Sequence, residues 1–305
     1  MRFTVVGDTT LDVTVRDATL VPGSDRPAAI TVGPGGQGAN LAVRLARQGG
    51  TVRLVTAIAP DAVGRQLEAL LAAEGVEVRN VGSRRSGVVV SLVDESGERS
   101  MLSDRVSLDP TAWTEELRLM ADTDWVHVSG YPLADEAGGA LLAKLIGSRR
   151  ATLRASVGGG SLAPNAGLAD RLRAARPDLA LFDRAEAEAI VGDRAEADAE
   201  RSGEELAAGV AGRIGGIVVV TDGPAGAAVA SAGGSWSLLG SMAPRIDATG
   251  AGDAYAAGVL VALAGSPWPP PQDDLRRALE AGGRLGAEAA GQIGAQARIP
   301  SEVRA

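Results

Sequence analysis

The sequence predicts an α/β protein, a three-layer α/β/α sandwich with a central, mostly parallel sheet and a second, smaller β-sheet. Apolar strand-like runs alternate with helical stretches along most of the chain. Two β-rich segments interrupt this alternation and could form the separate small sheet. The chain has 305 residues, 45% of them hydrophobic, which is enough for one large domain covering residues 1–305.

The alternation can be followed from the first residues to about residue 221. Buried-strand patterns cover residues 2–6, 51–58, 125–128, 151–157, 179–182 and 217–221. Helical patterns lie between them at residues 39–48, 61–74, 137–147, 168–175 and 184–191. Strands that alternate with helices in this way pair in parallel, and the helices cover both faces of the sheet.

The two β-rich insertions cover about residues 11–33 and 86–104. The first contains short alternating runs broken by proline and glycine, and it has no helical pattern. The second has the pattern of a hairpin, with one arm at residues 88–93, a turn at 94–97 and a second arm at 98–103. We expect the two insertions to form a small sheet that acts as a lid over the mouth of the main sheet.

Composition and charge exclude several classes of protein. The formal net charge of −8 argues against a nucleic-acid partner and against an anionic membrane surface. Without cysteine and with one histidine, His127, the chain has little material for thiol or serine–histidine catalysis or for a zinc site. His127 lies inside a predicted strand, where a buried structural role is expected. We expect neither a signal peptide nor a membrane span, so the cytoplasm is the default location.

The most informative motif is the heptapeptide Asp-Ala-Thr-Gly-Ala-Gly-Asp at residues 247–253. Gly250 and Gly252 let backbone amides approach a ligand closely, and the helix predicted to follow adds the positive end of its dipole. The motif therefore indicates a site for anionic oxygens. Asp253 adds a carboxylate at the start of the helix. Amides that hold developing charge, beside a carboxylate that accepts a hydroxyl proton, suit phosphoryl transfer.

A glycine cluster, Gly-Pro-Gly-Gly-Gln-Gly-Ala-Asn at residues 33–40, runs into a predicted helix. Its spacing fits the dinucleotide fingerprint, but that motif belongs in the first strand–helix turn, and here an irregular segment intervenes. A loop that needs glycine only for packing is a second interpretation. The favoured one is a glycine floor that contacts a polyol, with Asn40 binding a hydroxyl. Asp12 could bind a vicinal diol nearby, whereas Asp8 could be a ligand or a capping residue.

Two further motifs follow predicted strands. Asp183 and Glu186 are three residues apart, which places their carboxylates on one face of a helical turn. They could hold a hydrated Mg2+ ion, or Asp183 could simply cap the helix while Glu186 faces solvent. The segment Thr221-Asp222-Gly223-Pro224-Ala225-Gly226 forms a glycine turn that could border a nucleotide.

Taken in order, these motifs resemble those of the ribokinase-like carbohydrate kinases, also called the phosphofructokinase-B family, over essentially the whole chain. Residues 247–253 are similar to the C-terminal signature of the family. By this resemblance, Asp253 is the base that takes the proton from the sugar hydroxyl. The resemblance also implies that the amides of Gly250, Ala251 and Gly252 form the anion hole for the transferred phosphoryl group.

The same resemblance assigns the binding residues. The sugar would be bound by Asp12 and by members of the N-terminal signature, namely Gly35, Gly36, Gln37 and Asn40. The nucleotide would lie beside the turn that contains Thr221, Gly223 and Gly226. Gly294 is similar to a late loop that borders the adenine and, in many members, a monovalent cation, whose site Asp247 would share.

The resemblance further implies that the protein uses ATP and Mg2+, and K+ as some members do. It also implies a lid, which in this family often mediates a homodimer. Two positions depart from the family pattern. Asp183 stands where an asparagine is usual, and Gly158-Gly159-Gly160 stands where many members have an aspartate or asparagine. The first change adds negative charge near the phosphates, and the second removes one polar contact.

The expected function is ATP-dependent phosphorylation of a hydroxyl of a small sugar, of the ribokinase, fructokinase or 2-keto-3-deoxygluconate kinase type. No cluster of arginine or lysine is dedicated to a sugar phosphate, so an unphosphorylated acceptor is favoured. The alternatives are a nucleoside kinase of the same family and a catalytically weak protein that binds sugar or nucleotide. A nicotinamide dehydrogenase built on residues 33–38 is a further hypothesis.

Overall fold

The strand patterns form two sheets in a computed structural model, which describes residues 1–16, 23–25, 27–94, 99–106, 122–136, 138–159, 167–192, 200–240 and 246–296. The strands are β1 (Arg2–Val6), β2 (Thr10–Arg16), β3 (Ala29–Gly35), β4 (Thr51–Thr56), β5 (Val76–Asn80), β6 (Gly87–Val93), β7 (Arg99–Asp104), β8 (Trp125–Val128), β9 (Arg154–Gly158), β10 (Leu179–Asp183), β11 (Ile217–Thr221), β12 (Gly226–Ser231) and β13 (Gly234–Leu239). Within the described residues, no helix is both long and apolar enough to cross a membrane.

The main sheet has nine strands in the order β13-β12-β11-β10-β9-β8-β1-β4-β5. Every neighbouring pair from β5 to β11 is parallel. Only the hairpin of β12 and β13 at one edge is antiparallel. The carboxyl ends of β1, β8, β9, β10 and β11 therefore meet at one edge of the sheet, which is where open α/β sheets bind ligands.

Helices cover both faces of this sheet. They are α1 (Gln37–Arg47), α2 (Ala62–Ala73), α3 (Gly130–Ala134), α4 (Gly139–Gly147), α5 (Leu168–Ala175), α6 (Arg184–Val191), α7 (Gly203–Ile214), α8 (Ala251–Leu263) and α9 (Gln272–Ala290). Successive strand residues point to opposite faces, so Val6 packs in one core with α3 to α7, and Val5 packs in a second core with α1, α8 and α9. The three-layer prediction is confirmed.

The smaller sheet has the strand order β3-β2-β6-β7 and is built from the two predicted insertions. Strand β2 pairs antiparallel with β3 and parallel with β6, and β6 pairs antiparallel with β7. Residues 7–9 connect β1 directly to β2, and Gly36 connects β3 to α1. The small sheet therefore emerges from the carboxyl-end edge of the main sheet. Part of the predicted hairpin turn lies outside the described residues.

Predicted and observed elements agree where the apolar pattern is strong. Three strands (2–6, 125–128 and 217–221) and two helices (168–175 and 184–191) have the predicted bounds. Strand β5 was not predicted, because most of its side chains are exposed and polar at the sheet edge. The dinucleotide interpretation of residues 33–38 is wrong, since Gly33 and Gly35 belong to β3 of the small sheet rather than to the first strand–helix turn.

Candidate active site

The C-terminal signature forms the start of α8. Gly250 precedes the helix with φ 73°, a left-handed conformation that favours glycine, and a Cβ atom there would lie 2.8 Å from the Cβ of Ala295. Asp253 falls in the first helical turn and is half-buried. Asn40 Nδ2 donates a hydrogen bond of 3.0 Å to Asp253 Oδ2. The local backbone thus fixes where the carboxylate stands.

Burial raises the pKa of Asp253 from 3.8 to about 7. The negative charges of Asp8 and Asp12 act in the same direction, whereas the hydrogen bond from Asn40 and the positive charge of Arg44 act against it. A carboxyl with a pKa near neutrality is a better proton acceptor than an ordinary aspartate and is still partly ionised at neutral pH.

The amides at this turn are not equivalent. The Ala251 amide donates to the Ala248 carbonyl at 3.2 Å, so it is already used within the turn. Ala251 is thus the less available of the predicted anion-hole amides, and its contribution to the anion hole stays a prediction. Gly252 is exposed, and no heavy atom lies within 4 Å of the position that its Cβ would take. The amides of Gly250 and Gly252, at the positive end of the α8 dipole, remain the candidates for binding anionic oxygens.

The late loop that contains Gly294 orients Asn40. No sequence motif indicated this contact. Gln296 Nε2 donates to Asn40 Oδ1 at 2.9 Å, so the Asn40 amide must turn its NH2 group toward Asp253. Arg44 holds the same loop by donating to the Ala295 carbonyl at 2.8 Å. Arg47 also donates to the Gln296 carbonyl at 2.9 Å, so polar contacts from three residues of α1 hold the loop, and Asn40 connects it to the candidate base.

A cavity of about 280 Å3 lies in front of Asp253, between the main sheet and the small sheet. Predicted sugar-binding residues that line it are Asp12, Gly36, Gln37 and Asn40. Thr10 Oγ1 donates to Asp12 Oδ1 at 2.7 Å, and burial raises the pKa of Asp12 to about 6. Gly35 makes room for this carboxylate, because a Cβ at Gly35 would lie 2.0 Å from Asp12 Oδ2.

Gln37 lines the cavity, and each end of its amide makes one hydrogen bond to the backbone. Its Nε2 donates to the Gly159 carbonyl, and its Oε1 accepts a hydrogen bond of 3.1 Å from the Gly130 amide. Gln37 therefore ties α1 to the residues that follow β8 and β9. Its role as a sugar ligand stays a prediction, which would use the second N–H and the second lone pair of the amide.

Arg105, just after β7, brings a positive charge into the cavity. It forms an ion pair with Asp8, and its guanidinium lies 3.9 Å from the ring centroid of Tyr131. Asp8 also accepts a long hydrogen bond of 3.4 Å from the Gly38 amide. Asp8 thus links the small sheet to the main sheet, and Arg105 is a cavity residue that no sequence motif indicated.

His127 is buried as predicted, with 2% of its surface exposed, and it also lines the cavity. Its Nδ1 lies 2.9 Å from Ser156 Oγ, and burial lowers its pKa to about 3. The imidazole is therefore neutral throughout the physiological range.

Asp183 and Glu186 form a reciprocal capping box at the start of α6. Asp183 Oδ1 accepts from the Glu186 amide at 2.8 Å, and Glu186 Oε2 accepts from the Asp183 amide at 2.9 Å. Glu186 does not face solvent: it is 8% exposed and lines the cavity. Burial, with the neighbouring charge of Asp183, raises the pKa of Glu186 to about 7. Gly159 accommodates this carboxylate, since a Cβ there would lie 1.7 Å from Glu186 Oε2.

The two carboxylates alone do not make a complete metal site. Within the described residues, no group of three or more acidic, histidine or cysteine side chains could hold a metal ion. Asp183 Oδ2 and Glu186 Oε1 lie outside the capping box, so each residue retains one oxygen for a metal-bound water. Such a partial set fits hydrated Mg2+ that arrives with phosphate oxygens.

A larger cleft of about 600 Å3 lies on the other side of Gly252. Three residues that were predicted to border the nucleotide line it, namely Thr221, Gly223 and Gly226. Both cavities contact Gly252, Thr221 and Tyr255. Two binding spaces thus meet where α8 begins, next to Asp253.

Gly294 is not part of this cleft. Its amide donates to Asp247 Oδ2 at 2.9 Å, while Asp247 Oδ1 accepts from the Thr249 amide at the same distance. Asp247 is 7% exposed and joins the C-terminal signature to the late loop. The structure therefore separates Gly294 from the residues predicted to border the nucleotide, and it pairs Gly294 with the residue predicted to share its cation site.

The geometry provides helix-terminal amides, a carboxylate of raised pKa and two adjoining cavities, which are the requirements for moving a phosphoryl group between two bound molecules. The family model described as "pfkB family carbohydrate kinase" matches residues 2–302. The chain belongs to this family of carbohydrate kinases, which are ATP-dependent phosphotransferases. The nicotinamide dehydrogenase hypothesis is thereby excluded.

Relatives and solved structures agree with this assignment. Fructokinase of Salmonella typhimurium is 30% identical over 314 residues, covering 97% of this chain and 95% of that protein. Fructokinase of Klebsiella pneumoniae is 31% identical over 277 residues, covering 86% and 84%. The ribokinase structures from Thermotoga maritima (TM-score 0.78, 22% identity) and Giardia lamblia (TM-score 0.81, 16% identity) each cover 98% of this chain and 95% of their own, and they show the shared fold.

Proposed function

We propose that this kinase transfers the γ-phosphoryl group of ATP to a hydroxyl of a small, unphosphorylated sugar, with fructose as the first candidate. The observation that carries the proposal is the meeting of the two cavities at Gly252, beside Asp253. One space of about 600 Å3 suits a nucleotide, and one of about 280 Å3 suits a monosaccharide. Fructose is named because the relatives cited above are fructokinases.

The charge of the smaller cavity supports an unphosphorylated acceptor. Four carboxylates line it, from Asp12, Asp183, Glu186 and Asp253. The cation in its lining, Arg105, already forms an ion pair with Asp8. A sugar phosphate would bring further negative charge toward these carboxylates, whereas the hydroxyls of a neutral sugar donate hydrogen bonds to them.

In this proposal Asp253 accepts the proton of the attacking hydroxyl, and the amides of Gly250 and Gly252 stabilise charge on the transferred phosphoryl group. Asp12 binds sugar hydroxyls from the small sheet, which excludes water when it closes over the sugar. ATP is held beside Thr221, Gly223 and Gly226. The function therefore divides between the two cavities, with chemistry at their junction.

The test is a coupled assay of ADP release with Mg2+, in the presence and absence of K+. The acceptors are fructose, ribose, 2-keto-3-deoxygluconate, adenosine and fructose 6-phosphate. We expect the neutral sugar to give the highest kcat/KM and fructose 6-phosphate to give none above the ATPase background. Efficient use of the phosphorylated sugar or of the nucleoside alone would overturn the proposed acceptor. Thermal shifts with sugars but no ADP release would favour the binding-protein alternative.

We also propose that Asp183 and Glu186 hold hydrated Mg2+ beside the ATP phosphates. The ion would neutralise phosphate charge, and its own charge would favour the ionised form of Glu186. Glu186→Gln should raise the Mg2+ concentration needed for half-maximal activity. Glu188→Gln, on the exposed side of the same helix, is the matched control and should not. Equal Mg2+ requirements in the two variants would contradict this role.

A homodimer through the small sheet is proposed on the basis of its exposed apolar side chains. Ile30 and Val32 on β3 are 60% and 59% exposed, and Leu102 on β7 is 65% exposed. Light scattering should show a dimer for the wild type and a monomer for Ile30→Glu. Leu239→Glu, on an exposed site of β13, is the control and should remain dimeric. A monomeric wild type would refute this arrangement.

A further inference from the structure

His127 lies on the floor of the smaller cavity, where β8 and β9 end side by side. Its Nδ1 is 2.9 Å from the hydroxyl of Ser156, which is fully buried on β9. The same hydroxyl receives a hydrogen bond of 2.9 Å from Trp125 Nε1. The three side chains form a short chain of hydrogen bonds that ends at the floor of the cavity.

The chemistry of the three groups fixes which atom donates in each hydrogen bond. An indole N–H can only donate, so Ser156 Oγ is an acceptor toward Trp125. The hydrogen of the buried serine hydroxyl then needs an acceptor, and His127 Nδ1 stands at hydrogen-bond distance. His127 Nδ1 therefore carries the lone pair, and the ring proton resides on Nε2. Burial keeps the ring neutral, since its pKa is lowered to about 3.

Gly158 leaves the Nε2 edge of the His127 ring uncovered. A Cβ atom at Gly158 would lie 3.1 Å from His127 Nε2 and 3.2 Å from Cε1, so any side chain there would cover this edge of the ring. With glycine, the Nε2–H edge borders the cavity. The glycine that replaces a polar residue of the family pattern therefore gives the imidazole access to the acceptor space.

We propose that His127 is a specificity-determining residue whose Nε2–H donates a hydrogen bond to one oxygen of the sugar, at the floor between β8 and β9. This inference rests on the proposed function, because it requires a sugar in this cavity. The neighbouring carboxylates of Asp12, Glu186 and Asp253 accept hydrogen bonds, whereas His127 supplies a neutral donor. A sugar that lacks the matching oxygen leaves a buried N–H without a partner, which should lower kcat/KM about 10- to 100-fold.

The first experiment measures the protonation of the two His127 ring nitrogens directly. This is possible because His127 is the only histidine of the chain. In protein labelled with 15N-histidine and purified without a histidine tag, we expect one protonated nitrogen, Nε2, and an unchanged neutral ring from pH 8 to about pH 5. Adding fructose or another turned-over sugar should move the Nε2–H resonance more than the Nδ1 resonance. A protonated Nδ1, or an Nε2–H signal that saturating sugar leaves unmoved, would overturn the inference.

The second experiment compares His127→Leu with His127→Gln on the sugar that the wild type phosphorylates and on its monodeoxy analogues. For the parent sugar, His127→Leu should lose about 10- to 100-fold in kcat/KM, and His127→Gln, which keeps an N–H donor, should recover part of this loss. For one deoxy analogue the wild type and His127→Leu should be equal. A uniform loss across all analogues would assign His127 a structural role only. A wild type that phosphorylates no sugar would instead refute the proposed function itself.

Discussion

Replacing Asp253 by asparagine removes the candidate base with little change of shape. The asparagine carbonyl can accept the hydrogen bond that Asn40 Nδ2 gives to Asp253 Oδ2 at 3.0 Å. Its NH2 group then points toward the cavity, where it cannot accept a proton. Both cavities keep their outlines, so the binding of ATP and sugar should be nearly unchanged.

Turnover should fall strongly, because the loss of a general base costs about 100- to 10,000-fold in rate. The wild-type kcat should increase with pH through about 7, since the pKa of Asp253 is raised to about 7 and only the ionised form accepts the proton. The residual activity of Asp253→Asn should lack this pH dependence. The assay is coupled ADP release from pH 5.5 to 8.5, with ligand affinities measured by calorimetry.

The same substitution should stabilise the protein at neutral and higher pH. A folded-state pKa raised from 3.8 to about 7 means that folding opposes ionisation, so stability is lost as pH rises between these two values. At about 1.4 kcal/mol per pKa unit, the penalty above pH 7 is at most roughly 4 kcal/mol, and the partial exposure of Asp253 reduces it. Asp253→Asn avoids this penalty.

We therefore expect the Tm of Asp253→Asn to exceed that of the wild type at pH 8 and the two values to converge toward pH 4. An active Asp253→Asn enzyme, within tenfold of the wild type, would refute the assignment of the base. A variant that is inactive and also less stable at pH 8 would show that Asp253 stabilises the fold, and not that its ionisation destabilises the folded protein.

Three further substitutions test the surrounding geometry. Gly252→Ala adds a methyl group in open space where the cavities meet. The free energy of unfolding should therefore stay equal or rise by up to about 1 kcal/mol through helix propensity, while KM for ATP rises at least about tenfold. Gly159→Ala places Cβ 1.7 Å from Glu186 Oε2 and should lower the free energy of unfolding by about 1–3 kcal/mol, a loss that Glu186→Ala should largely relieve in a double-mutant cycle. Gln296→Leu removes the donor to Asn40 Oδ1 and should lower kcat about tenfold in the ADP assay with KM for ATP unchanged; an unchanged kcat would deny the loop this role.

The part of the site that could be predicted is encoded in short segments. Gly250 adopts φ 73° directly before α8, so the heptapeptide itself fixes the turn and the position of Asp253 in the first helical turn. Asp12 follows the first strand within a few residues. Helix α1 begins directly after Gly36, whose φ of 94° favours glycine. In each case local backbone chemistry decides the position, and sequence patterns report it.

The part that could not be predicted consists of contacts between distant segments. Arg105 reaches Asp8 across 97 positions, and Gln296 reaches Asn40 across 256. No periodicity or spacing encodes such pairs, because they depend on the strand order and on how the small sheet sits over the main one. Amide side chains are ambiguous for the same reason: Gln37 matches a sugar-binding signature, and only the fold shows that it also bonds to the backbone of Gly130 and Gly159.

Glycines at the end of β9 illustrate a subtler limit. In the sequence, Gly158 and Gly159 indicate only the loss of a polar side chain. In the fold, Gly158 leaves one edge of His127 uncovered, and Gly159 leaves room for the Glu186 carboxylate. Glycine at these two positions therefore matters because it leaves room for neighbouring side chains. Those neighbours can be identified only when both strands and α6 are in place.

The crowding of carboxylates explains why ligands should stabilise this protein. Burial and neighbouring charges raise the pKa of Asp12, Glu186 and Asp253, so without ligand each of these groups is costly to ionise. In the proposed complex, sugar hydroxyls that donate to Asp12 and Asp253, and a divalent cation beside Glu186, would favour the ionised forms. If these ligands bind as proposed, their binding relieves part of the electrostatic cost, and ligand-bound protein should be more stable than ligand-free protein.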